Sequence, residues 1–99
     1  TGLIIKTPDN HVLVLAPRSS SPKKKGIGLP HSIGIIDSDY AGPEDEVKLL
    51  LQNITNEPIV VKKGDRIVQG MIMPVVKAQF EEVQSMDHDS RGGFGSTGS

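Results

Sequence analysis

Apolar residues in this chain come in short runs, each ended by turn chemistry. Leu3-Ile4-Ile5-Lys6 is a β-branched run closed by Thr7-Pro8-Asp9-Asn10, and His11-Val12-Leu13-Val14-Leu15 follows before Pro17. Pro, Asp and Asn between two such runs predict a hairpin. Ser21 before Pro22 suits a helix N-cap with Pro in the first turn, which predicts one short helix or turn at the start of Ser21-Pro22-Lys23-Lys24-Lys25. Gly26 to Pro30 and Ser32 to Ile36 predict two short strands about a tight connection at Pro30-His31; the first holds too many glycines for a helix.

The second half continues the pattern. Asp37 to Pro43 is a loop dense in acids and turn residues. Glu46 to Gln52 alternates, with Val47, Leu49 and Leu51 on one face and Lys48, Leu50 and Gln52 on the other, which is a strand period. After a turn over Asn53 to Pro58, Ile59-Val60-Val61 predicts a strand and Lys63-Gly64-Asp65 a tight turn. Ile67 to Val76 predicts a long strand, with Gly70 and Pro74 weakening its interior or marking an edge. Ala78 to Val83 is a further strand candidate, and from Ser85 the sequence turns glycine-rich and loses apolar periodicity. No repeat and no sustained helical period is present. About seven short strands with regular turn signals predict an all-β barrel or sandwich.

Composition narrows the classes. The chain has 99 residues, room for one domain. Eleven Lys and Arg against 12 Asp and Glu give a net charge of −1. That is not the balance of a nucleic-acid binder, and no nucleic-acid partner is expected. Without cysteine there is no disulfide, thiolate metal site or cysteine nucleophile. No apolar run approaches the roughly 18 residues of a membrane span, so no membrane partner is expected and a reducing cytoplasm is the expected setting. Only 3% of residues are aromatic, a thin supply of core for a lone β domain. Partners or further chain are expected to complete the fold.

Three clusters carry candidate chemistry. Arg18-Ser19-Ser20-Ser21 offers a guanidinium and hydroxyls at a helix start, which suits a phosphate or serves as a capped turn. Asp37-Ser38-Asp39-Tyr40 follows an apolar strand with two carboxylates at i and i+2, able to project into a site or simply to turn the chain. Arg91-Gly92-Gly93-Phe94-Gly95-Ser96-Thr97-Gly98 can wrap phosphates with backbone N–H groups and stack Phe94 on a base, or be a plain terminal linker. It lacks the Gly-Lys-Ser/Thr ending of a P-loop. The histidines His11, His31 and His88 show no metal spacing.

In this order the clusters resemble the trimeric deoxyuridine triphosphate nucleotidohydrolases, the dUTPases. Ala16 to Ser20 looks like the second of that family's five motifs, Gly34 to Gly42 the third, Gly64 to Gln69 the fourth, and Arg91 with Gly93 to Gly98 the fifth. The resemblance implies a jelly-roll-like distorted β-barrel over residues 1–84, at most one short helix, and a flexible active-site lid over 85–99. It implies a homotrimer with active sites shared between subunits. It also implies hydrolysis of dUTP to dUMP and pyrophosphate, with Mg2+ on the triphosphate. That activity limits uracil entry into DNA and supplies dUMP for thymidylate synthesis.

Roles follow from the resemblance residue by residue. Asp37 would be the general base for water attacking the α-phosphorus, and Tyr40 would pack under the deoxyribose and exclude a 2′-hydroxyl. The segment from Gly26 to Ile36 would read uracil, largely through backbone, with His31 standing where the family often has Asn. Gly34, Ile35, Ile36 and Lys48 would line the nucleoside pocket. Arg18, Ser19, Ser20 and Gln69 would hold the phosphates. Asp39 and Arg66 would form a structural ion pair. Phe94 would close over uracil, with Arg91, Gly95, Ser96 and Thr97 about the β- and γ-phosphates. No protein side chain would bind Mg2+ directly; substrate phosphates and waters would hold it.

The family's first motif would lie upstream of Thr1, while the last motif ends at Gly98. One expectation is therefore that the chain is part of a longer protein. The other is a shortened protein that acts as a weak enzyme or a non-catalytic nucleotide-binding or regulatory module. dCTP deaminase shares the superfamily fold and an Arg-Ser-Ser stretch. That enzyme, however, places a catalytic Glu at about the position of Leu50, which cannot shuttle protons.

Overall fold

The structure, a computed structural model, describes residues 1–95. Its five strands are β1 (His11–Pro17), β2 (Ile27–Gly28), β3 (Gly34–Ile36), β4 (Gln52–Asn53) and β5 (Val68–Pro74). The all-β expectation holds: among the described residues the helical content is one π-type turn, Ser21–Lys25. β1 is the middle strand of an antiparallel sheet in the order β3-β1-β5, and β2 pairs with β4 in a second, two-stranded sheet.

The register sorts the side chains of the larger sheet. Leu13 lies opposite Ile36 and Ile72, and Leu15 opposite Gly34 and Gly70. Directly opposed residues share a face. That face is the core side, where Leu13 and Leu15 are buried with Val47, and Ile5, Ile36, Leu49 and Val68 pack around them. On the other face Val14 lies opposite Ile35 and Met71, and Val12 opposite Met73. None of the described residues covers that face: Ile35 is 62% exposed, Met71 45% and Met73 44%. The described residues form an open slab of 56 × 41 × 18 Å with a radius of gyration of 19.4 Å. A compact chain of this length would measure about 13 Å.

Several expectations are corrected. Leu3-Ile4-Ile5-Lys6 does not pair with β1. It runs instead against Val47, whose N–H donates to the Leu3 carbonyl at 2.8 Å and whose own carbonyl accepts the Thr1 hydroxyl at 2.7 Å. The Asp9-Asn10 turn is real, with Asn10 in the left-handed region (φ 61°), but it leads into β1 from that crossing segment. β3 and β5 occupy both edges of β1, so no edge is left for a local hairpin partner. β2 and β3 flank the Pro30-His31 turn as expected, yet they enter different sheets. Val47, Leu49 and Leu51 do point inward and Lys48, Leu50 and Gln52 outward, although only Gln52–Asn53 is hydrogen-bonded as a strand. Ile59 to Val61 and Ala78 to Val83 are not in a ladder among the described residues. The Lys63-Gly64 turn is present, closed by the Asp65 N–H on the Lys62 carbonyl at 3.0 Å.

The helical turn is bounded by Ser20 and Gly26, and only the second makes a capping hydrogen bond. Ser20 is its N-cap, one residue earlier than the sequence predicts, and makes no side-chain cap bond. Ser21 instead buries its hydroxyl. Gly26 ends the turn in the left-handed conformation (φ 66°), its N–H donating to the Ser21 carbonyl. A Cβ there would collide with the Thr55 side-chain methyl. Left-handed strain and overpacking add at this position, so Gly26→Ala is expected to cost about 2–4 kcal/mol of stability. Urea unfolding checks this; a loss below about 0.5 kcal/mol, the range of a neutral surface change, would show that the cap is not needed.

Candidate active site

The predicted site residues spread along β1: Asp37 and Asp39 lie by its His11 end, and Arg18 and Gln69 by its Pro17 end. Beside Leu15, where Gly34 pairs with it, lies a recess of about 290 Å³. His31, Gly34, Ile35, Ile36 and Lys48 line it, together with Leu15, Leu29, Ile33, Leu49 and Leu50. β3 supplies one wall and the extended segment through Lys48 the other. Since β3 is an edge strand, one row of its backbone N–H and C=O groups has no ladder partner. The Pro30-His31 turn is closed by the Ser32 N–H on the Leu29 carbonyl at 3.0 Å, with Ser32 at φ 71°. His31 folds back over it: Nδ1 bonds the Ile33 carbonyl, an arrangement that needs the Nδ1–H tautomer and leaves Nε2 unused.

Asp37 and Asp39 follow β3 directly. A turn, the Tyr40 N–H on the Asp37 carbonyl at 3.1 Å, lifts them out of the sheet. They line a second recess of about 630 Å³ with Ser38, His11 and Lys77. The Tyr40 hydroxyl donates to the Glu46 carbonyl at 3.0 Å, which fixes the ring over the 40–46 loop. Tyr40 borders neither recess. Among the described residues no group of three or more His, Asp or Glu side chains is gathered to hold a metal ion.

At the other end of β1, the second cluster of the sequence meets the Gly64-to-Gln69 stretch. Gln69 pairs with Ala16, and its Nε2 donates to the Pro17 carbonyl at 3.2 Å. The Arg18 N–H reaches the Ile67 carbonyl at 3.4 Å, and the Arg18 guanidinium donates to the Arg66 carbonyl at 3.5 Å. Ser21, 1% exposed, donates its hydroxyl to the Ile67 carbonyl at 2.6 Å. Ser19 is exposed and Ser20 half-buried beside them.

β1 is seven residues long, which is about 20 Å of strand. Asp37 and the Arg18 cluster therefore stand well apart within one chain. The expected Asp39–Arg66 ion pair is not formed for the same reason: the two residues flank opposite ends of β1. The only ion pair among the described residues joins the Thr1 ammonium to Glu46 at 3.8 Å. Arg91, Phe94 and Gly95 border neither recess, and the Phe94 ring is fully exposed. Ser96 and Thr97 lie outside the described residues.

Sequence reasoning missed Leu50 as a recess residue. Its signal was available, since it is the one apolar side chain on the polar face of an alternating segment. His11 and Lys77 beside Asp37 had no such signal, because only the β1–β5 register and the crossing at Asn10 bring them there. In that crossing the Val75 N–H donates to the Asn10 carbonyl at 2.8 Å.

The dUTPase family model matches residues 1–98. The chain is 44% identical to the deoxyuridine 5'-triphosphate nucleotidohydrolase of Lactococcus lactis, covering 99% of this chain and 67% of that protein. It is 46% identical to the protein of the same name from Neisseria meningitidis, covering 99% and 65%. The chain thus spans about two thirds of the length of these curated relatives. The structure of dUTPase from Streptococcus mutans superposes with a TM-score of 0.71 at 37% identity, covering 77% of this chain and 62% of that one. Staphylococcus bacteriophage 80alpha dUTPase with dUpNHpp gives 0.70 at 21% identity, over 92% and 69%, a likeness of fold alone.

The buried Ser21 hydroxyl is the tightest link between β1's end and the start of β5. Ser21→Ala removes its bond to Ile67 and is expected to cost about 1–2 kcal/mol. Thermal unfolding of the variant measures this; an unchanged midpoint would mean that the Ser21 bond is not needed to hold the two segments together.

Proposed function

The chain belongs to the dUTPase family, and from that membership we propose that it hydrolyses dUTP to dUMP and pyrophosphate. The observation that carries the reading is the recess beside β3, which gathers His31, Gly34, Ile35, Ile36 and Lys48 with Asp37 next in the chain. The free edge of β3 suits the base. A fixed row of backbone donors and acceptors can match the O4 acceptor and N3–H donor of uracil and leave cytosine's amino group mispaired. His31, held by its own backbone, adds one ring nitrogen to that row.

Asp37 takes the proton of a water whose oxygen attacks the α-phosphorus in line. The new P–O bond forms as the bond to the bridging oxygen of the β-phosphate breaks, and pyrophosphate leaves. Tyr40 excludes a ribose 2′-hydroxyl by occupying its space. Mg2+ is a hard cation that keeps its waters; Asp37 and Asp39 offer the oxygen acceptors such waters need, and the ion when bound neutralises charge on the triphosphate. Arg18, Ser19, Ser20 and Gln69 hold the phosphates, and Phe94 with its glycine-rich neighbours closes over the nucleotide.

Separation of these groups along β1 favours a site assembled from more than one copy, in the homotrimer that the resemblance implies. The bare apolar face of Val12, Val14, Ile35, Met71 and Met73 favours it too, because an exposed patch of that kind marks an association surface. The reaction belongs with the nucleotide pool on which its substrate draws. Among the described residues no helix is long and apolar enough to cross a membrane.

Pyrophosphate release from dUTP, set against dCTP and UTP, tests the proposal. Release from dUTP alone is the expected outcome, and equal rates on dCTP would remove the uracil-reading role of β3. Asp37→Asn should retain nucleotide affinity within about threefold while turnover falls at least a hundredfold. Turnover at the parent rate would show that another group takes the proton.

A further inference from the structure

We infer that Lys25 acts with Arg18 as a paired-cation anchor for the terminal phosphates of a polyphosphate chain. The inference rests on the dUTPase reading of this end of β1 and adds a binding residue to it. Three lysines end the helical turn, and two of them, Lys23 and Lys24, are simply exposed. Lys25 differs. It is half-buried, and its Nζ donates to the Arg66 carbonyl at 2.8 Å. That oxygen also accepts the Arg18 guanidinium at 3.5 Å.

Two full positive charges therefore converge on one neutral acceptor. A carbonyl dipole orients them but does not neutralise them, and like charges held this close repel. No carboxylate relieves the strain: among the described residues neither cation has an acid within 4 Å, the sole ion pair being Thr1 with Glu46. Asp65, the acid next to Arg66, has its carboxylate engaged by the Lys62 N–H at 2.9 Å. The frame behind the pair is rigid, because the next carbonyl, that of Ile67, is held by both the buried Ser21 hydroxyl and the Arg18 N–H.

Each cation spends one donor on the Arg66 oxygen. The ammonium keeps two more and the guanidinium four, beside the hydroxyls of Ser19 and Ser20. A fixed pair of cations with spare donors and no internal counter-charge fits an anion of charge −2 or more, with oxygens on adjacent phosphorus atoms. Inorganic pyrophosphate, or the β,γ end of a nucleoside triphosphate, has that form. A nucleoside monophosphate, whose single phosphate would sit by Asp37, does not reach it.

The test is titration calorimetry of the protein with inorganic pyrophosphate and, separately, with dUMP. Lys25→Gln is expected to weaken pyrophosphate binding about fivefold to twentyfold, the loss of one charge-assisted hydrogen bond at a partly exposed site. dUMP affinity should stay within about twofold, as should both affinities in the control Lys23→Gln. Lys25→Arg should recover most of the loss, since it restores the charge. In dUTP turnover Lys25→Gln should raise KM with kcat little changed. Unchanged pyrophosphate affinity in Lys25→Gln overturns the inference. So does an equal loss for dUMP, which would mark Lys25 as a structural tie, or a failure of Lys25→Arg to recover binding. The dUTPase reading fails separately: a parent protein that turns over no dUTP, yet binds pyrophosphate in a Lys25-dependent way, sinks that reading and leaves the anchor standing.

Discussion

The structure depends on β1 being paired along both edges. Its seven residues bond to β5 over their full length and to β3 over Leu13 to Leu15. One strand thus fixes three things at once. It sets the core face through Leu13 and Leu15. It carries β3 to where Asp37 leaves the sheet. It brings Arg18 against the start of β5. A register slip of one residue in either ladder would turn the buried leucines outward and scatter both halves of the site. Local features then refine what the pairing sets: the Ser21 hydroxyl ties the end of β1 to the start of β5, and the Pro30–Ser32 turn shapes the recess beside β3.

How much of this was legible in the sequence follows from the range of the forces involved. Turn positions were, because Asn10 and Gly64 each answer a local backbone demand, a positive φ that few residues meet without cost; Gly26, read as the start of a strand, ends the helical turn instead. The alternation of Val47, Leu49 and Leu51 was legible for the same reason, since period two is a property of neighbouring residues. Strand partners were not. A hairpin between Leu3–Lys6 and β1 is locally sensible, yet β3 and β5 win both edges of β1 through pairings about 20 and 60 residues away in sequence. The Asp39–Arg66 pair that the resemblance implies is absent within one chain on the same ground: the two residues take opposite ends of one strand, which no local pattern reveals.

The site shows a matching division. Residues adjacent in sequence, such as Gly34, Ile35 and Ile36, come together because one edge strand carries them. Lys48 joins them only because the Val47 segment crosses the core, where Val47 is 2% exposed. The recess is thus a by-product of core packing. Its apolar wall of Leu15, Leu29 and Leu49 grades into the same side chains that hold the sheet, so its shape is set by the core.

What gives the fold its chemistry is what it leaves unsatisfied. β3 keeps a free row of backbone groups because it is an edge. Arg18 and Lys25 keep their charge because the only oxygen they share is neutral. Val12, Val14, Ile35, Met71 and Met73 keep an apolar face bare because none of the described residues packs a layer over it. Each is costly in isolation, and each is relieved by a different partner: a base edge, a polyphosphate, another copy of the sheet. The three needs sit along one strand about 20 Å long. On the proposed reading, association therefore precedes catalysis for a physical reason. Covering the apolar face of β1 and its neighbours is the step that can bring the Asp37 end of one copy toward the Arg18 end of another. The nucleotide then meets both.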